Sequence, residues 1–387
     1  MRYIGNKTRL LPFILSAIER FGIKPGVAHD AFAGTASVGQ ALKASGWRVA
    51  SSDIMTYSYV FQRAYVVASG TTHCRHLRDG DEHFRRATSQ PRFREAVAAR
   101  GGGALAAMAQ YLSECCDSDN AFITEHFSPA GRGERMYFTH RNARRIDAVR
   151  ATIERWRVED LIDDDTYFVL LAAVIEAADK VANTAGVYAA YMKTWQPNAR
   201  RAFHLSPQVP LKGRPGSTAH LGDAAAVARE LGSVDLLYVD PPYNTRQYSG
   251  YYHVPEIIAR GWFKERPVLA GKTGLLSRDN AARANAADKN GHRREQQSAW
   301  CSRRTVADSL RELLAATEAR HILVSYNTEG LLGSEQVSET LANAAKDGRV
   351  ERFEKHYRRY RADRDREGRR YSGDSVAELL YYARLRK

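Results

Sequence analysis

A chain of 387 residues with 44% hydrophobic and 26% charged residues has enough apolar mass for one large or two medium domains, which excludes a wholly disordered protein. Its apolar runs fall short of the roughly 20 residues a membrane helix needs, which excludes an integral helical membrane protein. Lysine and arginine number 58 against 44 aspartates and glutamates, a formal charge of +14, and that excess points to a polyanionic partner, nucleic acid first.

Met1 to Lys7 is basic, without the apolar stretch or small-residue cleavage site of a signal peptide, so no export is expected. Leu10, Leu11, Ile14, Ile18 and Phe21 then form one helical stripe that Gly22 stops. Val27 to Phe32 reads as a strand, Ser37 to Ala44 as a short helix closed by Gly46, and Trp47 to Ser52 as a second strand ending in Asp53. This alternation opens a parallel α/β sheet. It breaks between about residues 70 and 217, where polar, His- and Arg-rich segments surround several helices. The clearest of these begins at Asp163-Asp164-Asp165 and carries Tyr167, Leu170, Leu171, Val174, Ile175, Ala178 and Val181 on one face. The α/β rhythm resumes near Leu221-Gly222-Asp223, with a strand at Val234 to Val239, a helix marked by Val306, Leu310, Leu313 and Leu314, and a strand at His321 to Ser325. Lys272 to Gln297 has little periodicity and reads as a mobile surface loop. Ser375 to Tyr382 reads as a last strand. The chain thus divides into residues 1–67 and 218–387, an α/β domain, and 68–217, an inserted, mainly helical domain, with a mobile basic loop at 265–300.

Asp240-Pro241-Pro242-Tyr243 follows the buried-strand run Val234 to Val239, at the strand end where open α/β sheets bind ligands. Two prolines fix φ twice and withdraw two N–H donors. The Asp240 carboxylate and the Pro241 carbonyl are left as acceptors facing one spot, a pocket for an amino group, and Tyr243 offers a flat face for a heteroaromatic ring. The alternative is an Asp-Pro-Pro turn beside a core tyrosine.

With this motif the sequence resembles the Dam-like, alpha-group N6-adenine DNA methyltransferases, whose signature is the same aspartate-proline-proline-tyrosine. The resemblance covers about residues 1–67 and 218–387. It implies a Rossmann-like, S-adenosyl-L-methionine-dependent methyltransferase sheet, with the insertion standing where the family has its target-recognition domain. A second block, His29-Asp30-Ala31-Phe32-Ala33-Gly34-Thr35-Ala36-Ser37-Val38-Gly39, lies between strand and helix, as a cofactor turn should. The resemblance makes Asp30, Phe32, Gly34 and Thr35 cofactor-binding, although Ala36 stands where the family usually has glycine. Asp53, about 20 residues beyond Gly34, is placed for ribose hydroxyls. Asp223 matches the acid near the cofactor's adenine, or is simply a helix cap. Arg2-Tyr3-Ile4-Gly5-Asn6-Lys7 looks like the N-terminal motif in which Tyr3, Gly5 and Lys7 cover the cofactor's methionine end, with Asp240 beside it.

Other pieces are similar to family blocks. Ser325-Tyr326-Asn327 follows a strand, and Tyr248, Tyr252, His253 and Glu256 follow Asp240 to Tyr243, as pocket-wall or DNA-facing positions or as a buried tyrosine cluster. Asn183 to Tyr188, with Lys193 beyond, resembles a block bordering the recognition domain. His356 to Arg361 looks like the family's C-terminal hairpin, with Arg358, Arg359 and Arg361 available for phosphates.

Several tempting signals fail. Gly271-Lys272-Thr273 has Arg266 where a P-loop needs glycine, the histidines form no HExxH, and the Gly34 turn is no GxGxxG. The four cysteines (Cys74, Cys115, Cys116, Cys301) form no CxxC, so no metal is expected and a reducing cytoplasm suits them. The expectation is a site-specific methyltransferase that flips an adenine out of double-stranded DNA and methylates N6 by direct displacement. Its partners would be DNA and a possible restriction endonuclease counterpart. The alternatives are methylation of RNA adenine or of a protein glutamine, or a non-catalytic nucleic-acid-binding relative.

Overall fold

The computed structural model describes residues 1–70, 75–119, 121–131, 133–269, 296–358 and 375–386. These form two compact units. The sheet unit comprises residues 5–62, 213–249 and 296–387, and the helical unit residues 1–4, 63–212 and 250–295. Among the described residues the helical unit thus holds most of the stretch read from the sequence at 68–217, together with 63–67, 250–269 and the first four residues of the chain. Most of the loop expected at 265–300 lies outside the described residues. Its described end is well packed, with a short 3-10 turn at Ala299–Cys301 and Trp300 buried.

The sheet unit holds seven strands: β1 (Val27–Asp30), β2 (Arg48–Asp53), β3 (Thr218–Leu221), β4 (Ser233–Val239), β5 (Glu318–Asn327), β6 (Glu351–Arg358) and β7 (Ser375–Arg384). Their order is β3-β2-β1-β4-β5-β7-β6. The first five run parallel, and β7 is antiparallel to β5 and β6. Apolar runs such as Leu236-Leu237-Tyr238-Val239 and Ile322-Leu323-Val324 are buried on both faces, as parallel strands require. β1 ends at Asp30, two residues short of the expected strand, because the chain turns at Ala31. There the Ala31 amide donates to the Tyr238 carbonyl and the Ala33 amide to the Ser52 carbonyl. The chain leaves β1 towards β2 on one side, whereas β4 continues to β5 on the other. That order reversal puts the sheet's switch point at the carboxyl ends of β1 and β4, the place where open α/β sheets bind ligands.

In the helical unit the helix expected after Asp163 runs Asp164–Val181, capped by the Asp163 carboxylate on the Thr166 amide. It is buried nearly all round rather than on one stripe, the mark of a central helix wrapped by its neighbours. Among the described residues no helix is long and apolar enough to cross a membrane.

Candidate active site

The chain leaves β4 at Val239 and passes directly into Asp240-Pro241-Pro242-Tyr243, without regular structure. Three charged side chains, Asp240, Lys7 and Glu378, meet at the end of β4. The Lys7 ammonium, 3% exposed, lies 3.0 Å from Asp240 Oδ1 and 2.6 Å from Glu378 Oε1. Ser325 Oγ donates to the same Glu378 oxygen at 2.5 Å. Among the described residues Asp240 Oδ2 has no hydrogen-bond partner. Burial raises the Asp240 carboxyl above the usual carboxylate range; Lys7 pulls it down and Glu378 pushes it up. Burial opposes the charge on Lys7, yet the two carboxylates hold the ammonium well above its ordinary range.

The lysine also lies over the Tyr243 ring, 5.7 Å from its centroid. Gly5 lies against the same ring. A Cβ there would come within 3.0 Å of Tyr243 Oη, and the residue has φ +82°, so both the space and the backbone demand glycine. Tyr243 is half-buried against the apolar core of the sheet.

The cofactor turn is held by side-chain clamps. Asp30 Oδ2 accepts the Gly39 amide. Asp53 accepts the Gly34 amide on Oδ2 and the Met55 amide on Oδ1. Asn6 Nδ2 donates to Thr35 Oγ1, tying the N-terminal block to the turn. Ala36, fully buried, adopts the left-handed φ 58°, ψ 22° that glycine adopts without strain. Alanine there costs roughly 1–2 kcal/mol, partly offset by its less flexible unfolded state. Ala36→Gly is therefore expected to stabilise the protein by roughly 0.5–1 kcal/mol, read from the denaturant midpoint. An unchanged or lowered midpoint would contradict a strained turn.

Asp30, Asp53 and Asp240 interact electrostatically. Burial, then the charge on Asp240, then that on Asp53, raise Asp30 to about 7 against the pull of the Gly39 amide. Nearby His29 adds no compensating charge, because burial and then His220 lower its imidazole to about 3. Asp53 and the small-residue turn before the helix Ser37–Ala44 put a carboxylate and backbone amides at the carboxyl ends of β1 and β2.

Some expected roles change on contact with the structure. Asp30 is 1% exposed and holds the turn through the Gly39 amide. Asp223 caps the helix Ala224–Leu231 through the amides of Ala225 and Ala226. Phe32 meets Trp300 edge-on at 4.9 Å. Tyr3 groups with the helical unit: Arg2 fastens the first residues to Asp179 and Thr184, and Tyr3 stacks on Tyr252 at 4.9 Å. Tyr252, His253 and Glu256 are buried inside the helical unit, as in the buried-cluster alternative; Tyr248 is half-buried. Lys193 is exposed on a segment that Asn183 pins by hydrogen bonds to the Met192 carbonyl and the Gln196 amide. Arg358 ends β6, and Arg359 and Arg361 lie outside the described residues. The sequence reading did not single out Glu378, Trp300 or Asn6 as site residues. For Glu378 the one signal was a charge inside the apolar run Val376-Ala377-Glu378-Leu379-Leu380.

Sheet order, the switch point at the carboxyl ends of β1 and β4 and Asp240-Pro241-Pro242-Tyr243 at the tip of β4 are the features of an amino-methyltransferase that the sequence resemblance implied. The profile of the D12 class N6 adenine-specific DNA methyltransferases matches residues 3–275, and the chain belongs to that family and is an adenine-specific DNA methyltransferase. It is similar to the type II methyltransferase M.NlaIII of Neisseria lactamica, with 32% identity over 384 residues and 98% of each chain covered. It is also similar to the type II methyltransferase M.FokI of Planomicrobium okeanokoites (31% over 386 residues) and to modification methylase LlaI of Lactococcus lactis subsp. lactis (30% over 387 residues). Either match covers 99% of this chain but only 52% and 54% of those relatives' own lengths. The family decides the substrate in favour of DNA over RNA or protein.

Proposed function

We propose that this chain uses S-adenosyl-L-methionine to methylate one adenine within a specific site of double-stranded DNA, in the cytoplasm and alongside a restriction endonuclease of matching specificity. The observation that carries the site assignment is Asp240: one carboxylate oxygen is held by Lys7 and the other is uncommitted, beside two prolines and a half-buried Tyr243. The cofactor supplies an electrophilic methyl group on a sulfonium. The turn from Ala31 to Ala36 would hold it, with Asp53 and the Asp223 oxygen that does not cap the helix at its nucleoside end and Gly5 and Lys7 near its methionine end.

Adenine reaches such a pocket only when turned out of the duplex. Tyr243 then stacks on the ring. Asp240 Oδ2 and the Pro241 carbonyl accept the two amino hydrogens, which draws the nitrogen lone pair out of conjugation and towards the methyl donor; N6 would gain the methyl group as the donor's S–CH3 bond breaks to leave a neutral thioether, and the surplus N6 proton would leave through Asp240 Oδ2 to solvent. Rate comes from placement and from fixed acceptors in a site shielded from water. The net charge of +14, exposed Lys193 and the arginines from Arg358 onward, Arg359 and Arg361 among them, would serve phosphate contact.

Sequencing DNA from a host that expresses the protein, with a modification-sensitive reader, should show N6-methyladenine recurring at one short motif; DNA without it would refute the reading. DNA affinity should fall about 10³-fold or more between roughly 50 and 200 mM salt. A flat salt response would remove the phosphate-contact role of the basic residues.

A further inference from the structure

Lys7 is shared between two acids, and only one of them lies in the substrate-facing motif. The other arrives by topology. β7 runs antiparallel to β5, so its first residues lie beside the carboxyl end of β5, and Glu378 pairs in register with Asn327. A residue near the start of a strand is thereby delivered to the edge of the sheet where Asp240 leaves β4. Glu378 is 1% exposed, and its Oε1 accepts from both Lys7 and Ser325, so the shared oxygen takes two donors, one of them charged. One ammonium between two carboxylates leaves a single net negative charge. Had Lys7 paired with Asp240 alone, the pair would be neutral, and the oxygen meant for the amino group would be a weaker acceptor.

We propose that Glu378 is a positioning residue for methyl transfer: it holds the Lys7 ammonium on Asp240 Oδ1 and leaves the three-residue group with the negative charge that attracts the amino hydrogens and the positive charge growing on N6. The proposal rests on Asp240 being the acceptor. The titratable groups facing Lys7 are Asp240 and Tyr238 from β4, Tyr243 from the turn beyond, and Glu378 from β7; Asp30 from β1 acts on the group through Asp240. Of these, Glu378 can be changed without altering the motif that meets the base.

The test separates the coupling from the chemistry. In cofactor-free protein labelled with carbon-13 at aspartate carboxyls, and with the Asp240 signal assigned through Asp240→Asn, Glu378→Gln should move the Asp240 titration downward by about half a pH unit or more, because a facing negative charge is gone. In single-turnover assays the same variant should slow methyl transfer about tenfold or more, with DNA affinity within about twofold of wild type. The acid limb of its pH–rate profile should move to lower pH. Glu378→Asp keeps the charge but shortens the reach to Lys7. It should leave the Asp240 titration near wild type, transfer more slowly than wild type and faster than Glu378→Gln, and it serves alone if the glutamine variant does not fold. An unmoved Asp240 titration in Glu378→Gln, or transfer at the wild-type rate in both variants, overturns the proposal. Active Asp240→Ala with a shifted titration in Glu378→Gln would instead sink the acceptor assignment while leaving the coupling intact.

Discussion

Asp240→Ala is expected to reduce methyl transfer by about 10³-fold or more, since it removes the one uncommitted carboxylate oxygen at the pocket and with it a preorganised acceptor in a buried site. The fold should survive this change, for a reason visible in the charge arrangement. Without Asp240, Lys7 keeps its shorter contact, 2.6 Å to Glu378, and the remaining pair is neutral. Lys7→Ala is the contrasting case, because it leaves two buried carboxylates facing each other without a counterion, and such uncompensated charge is strongly destabilising. Single-turnover rates, with thermal unfolding and cofactor titration on the same protein, check the prediction. Transfer within about tenfold of wild type in a folded Asp240→Ala variant would remove the carboxylate from the mechanism.

Tyr243 provides the second large effect. Its ring lies against Gly5 and beneath the Lys7 ammonium, so its plane is fixed before a base arrives. Stacking on an aromatic side chain contributes about 1–3 kcal/mol per base, so Tyr243→Ala should cost roughly 5- to 150-fold in kcat/KM. Tyr243→Phe keeps the ring and should stay within about threefold of wild type. Fluorescence of 2-aminopurine at the target position gives an independent reading: the unstacked signal should rise on binding by the phenylalanine variant and change in both intensity and lifetime with alanine. Equal losses in the two variants would show that the hydroxyl, not the face, is what matters.

Most of the parallel sheet was legible because β4 and β5 carry the short apolar runs of buried parallel strands, while β1 and β2, which hold polar residues, showed through their alternation with a helix. β3 was read only as a resumption of rhythm. Thr218-Ala219-His220-Leu221 at the sheet edge is half exposed, so its residues carry no apolar run. Asp30 and Asp223 show a limit of another kind. A carboxylate at a strand end or helix start looks the same in sequence whether it meets a ligand or a backbone amide, and here Gly39, Ala225 and Ala226 supply the amides. Tyr252 and His253 were ambiguous for the related reason that aromatic residues serve cores and pockets alike, and the interior of the helical unit claimed them.

What the amino-acid sequence determined by itself was local chemistry: a stiff Asp-Pro-Pro-Tyr at the end of an apolar strand, a small-residue turn between strand and helix, and a basic balance suited to a polyanion. These depend on neighbours along the chain, and neighbours are what a sequence displays. Only the tertiary structure decided which charges share a site. The meeting of Lys7, Asp240 and Glu378 joins residues up to 371 positions apart, through a parallel sheet closed by an antiparallel strand. Coulombic coupling depends on separation in space and on exclusion of water, and both are set when the fold brings the N-terminal turn and β7 to the end of β4.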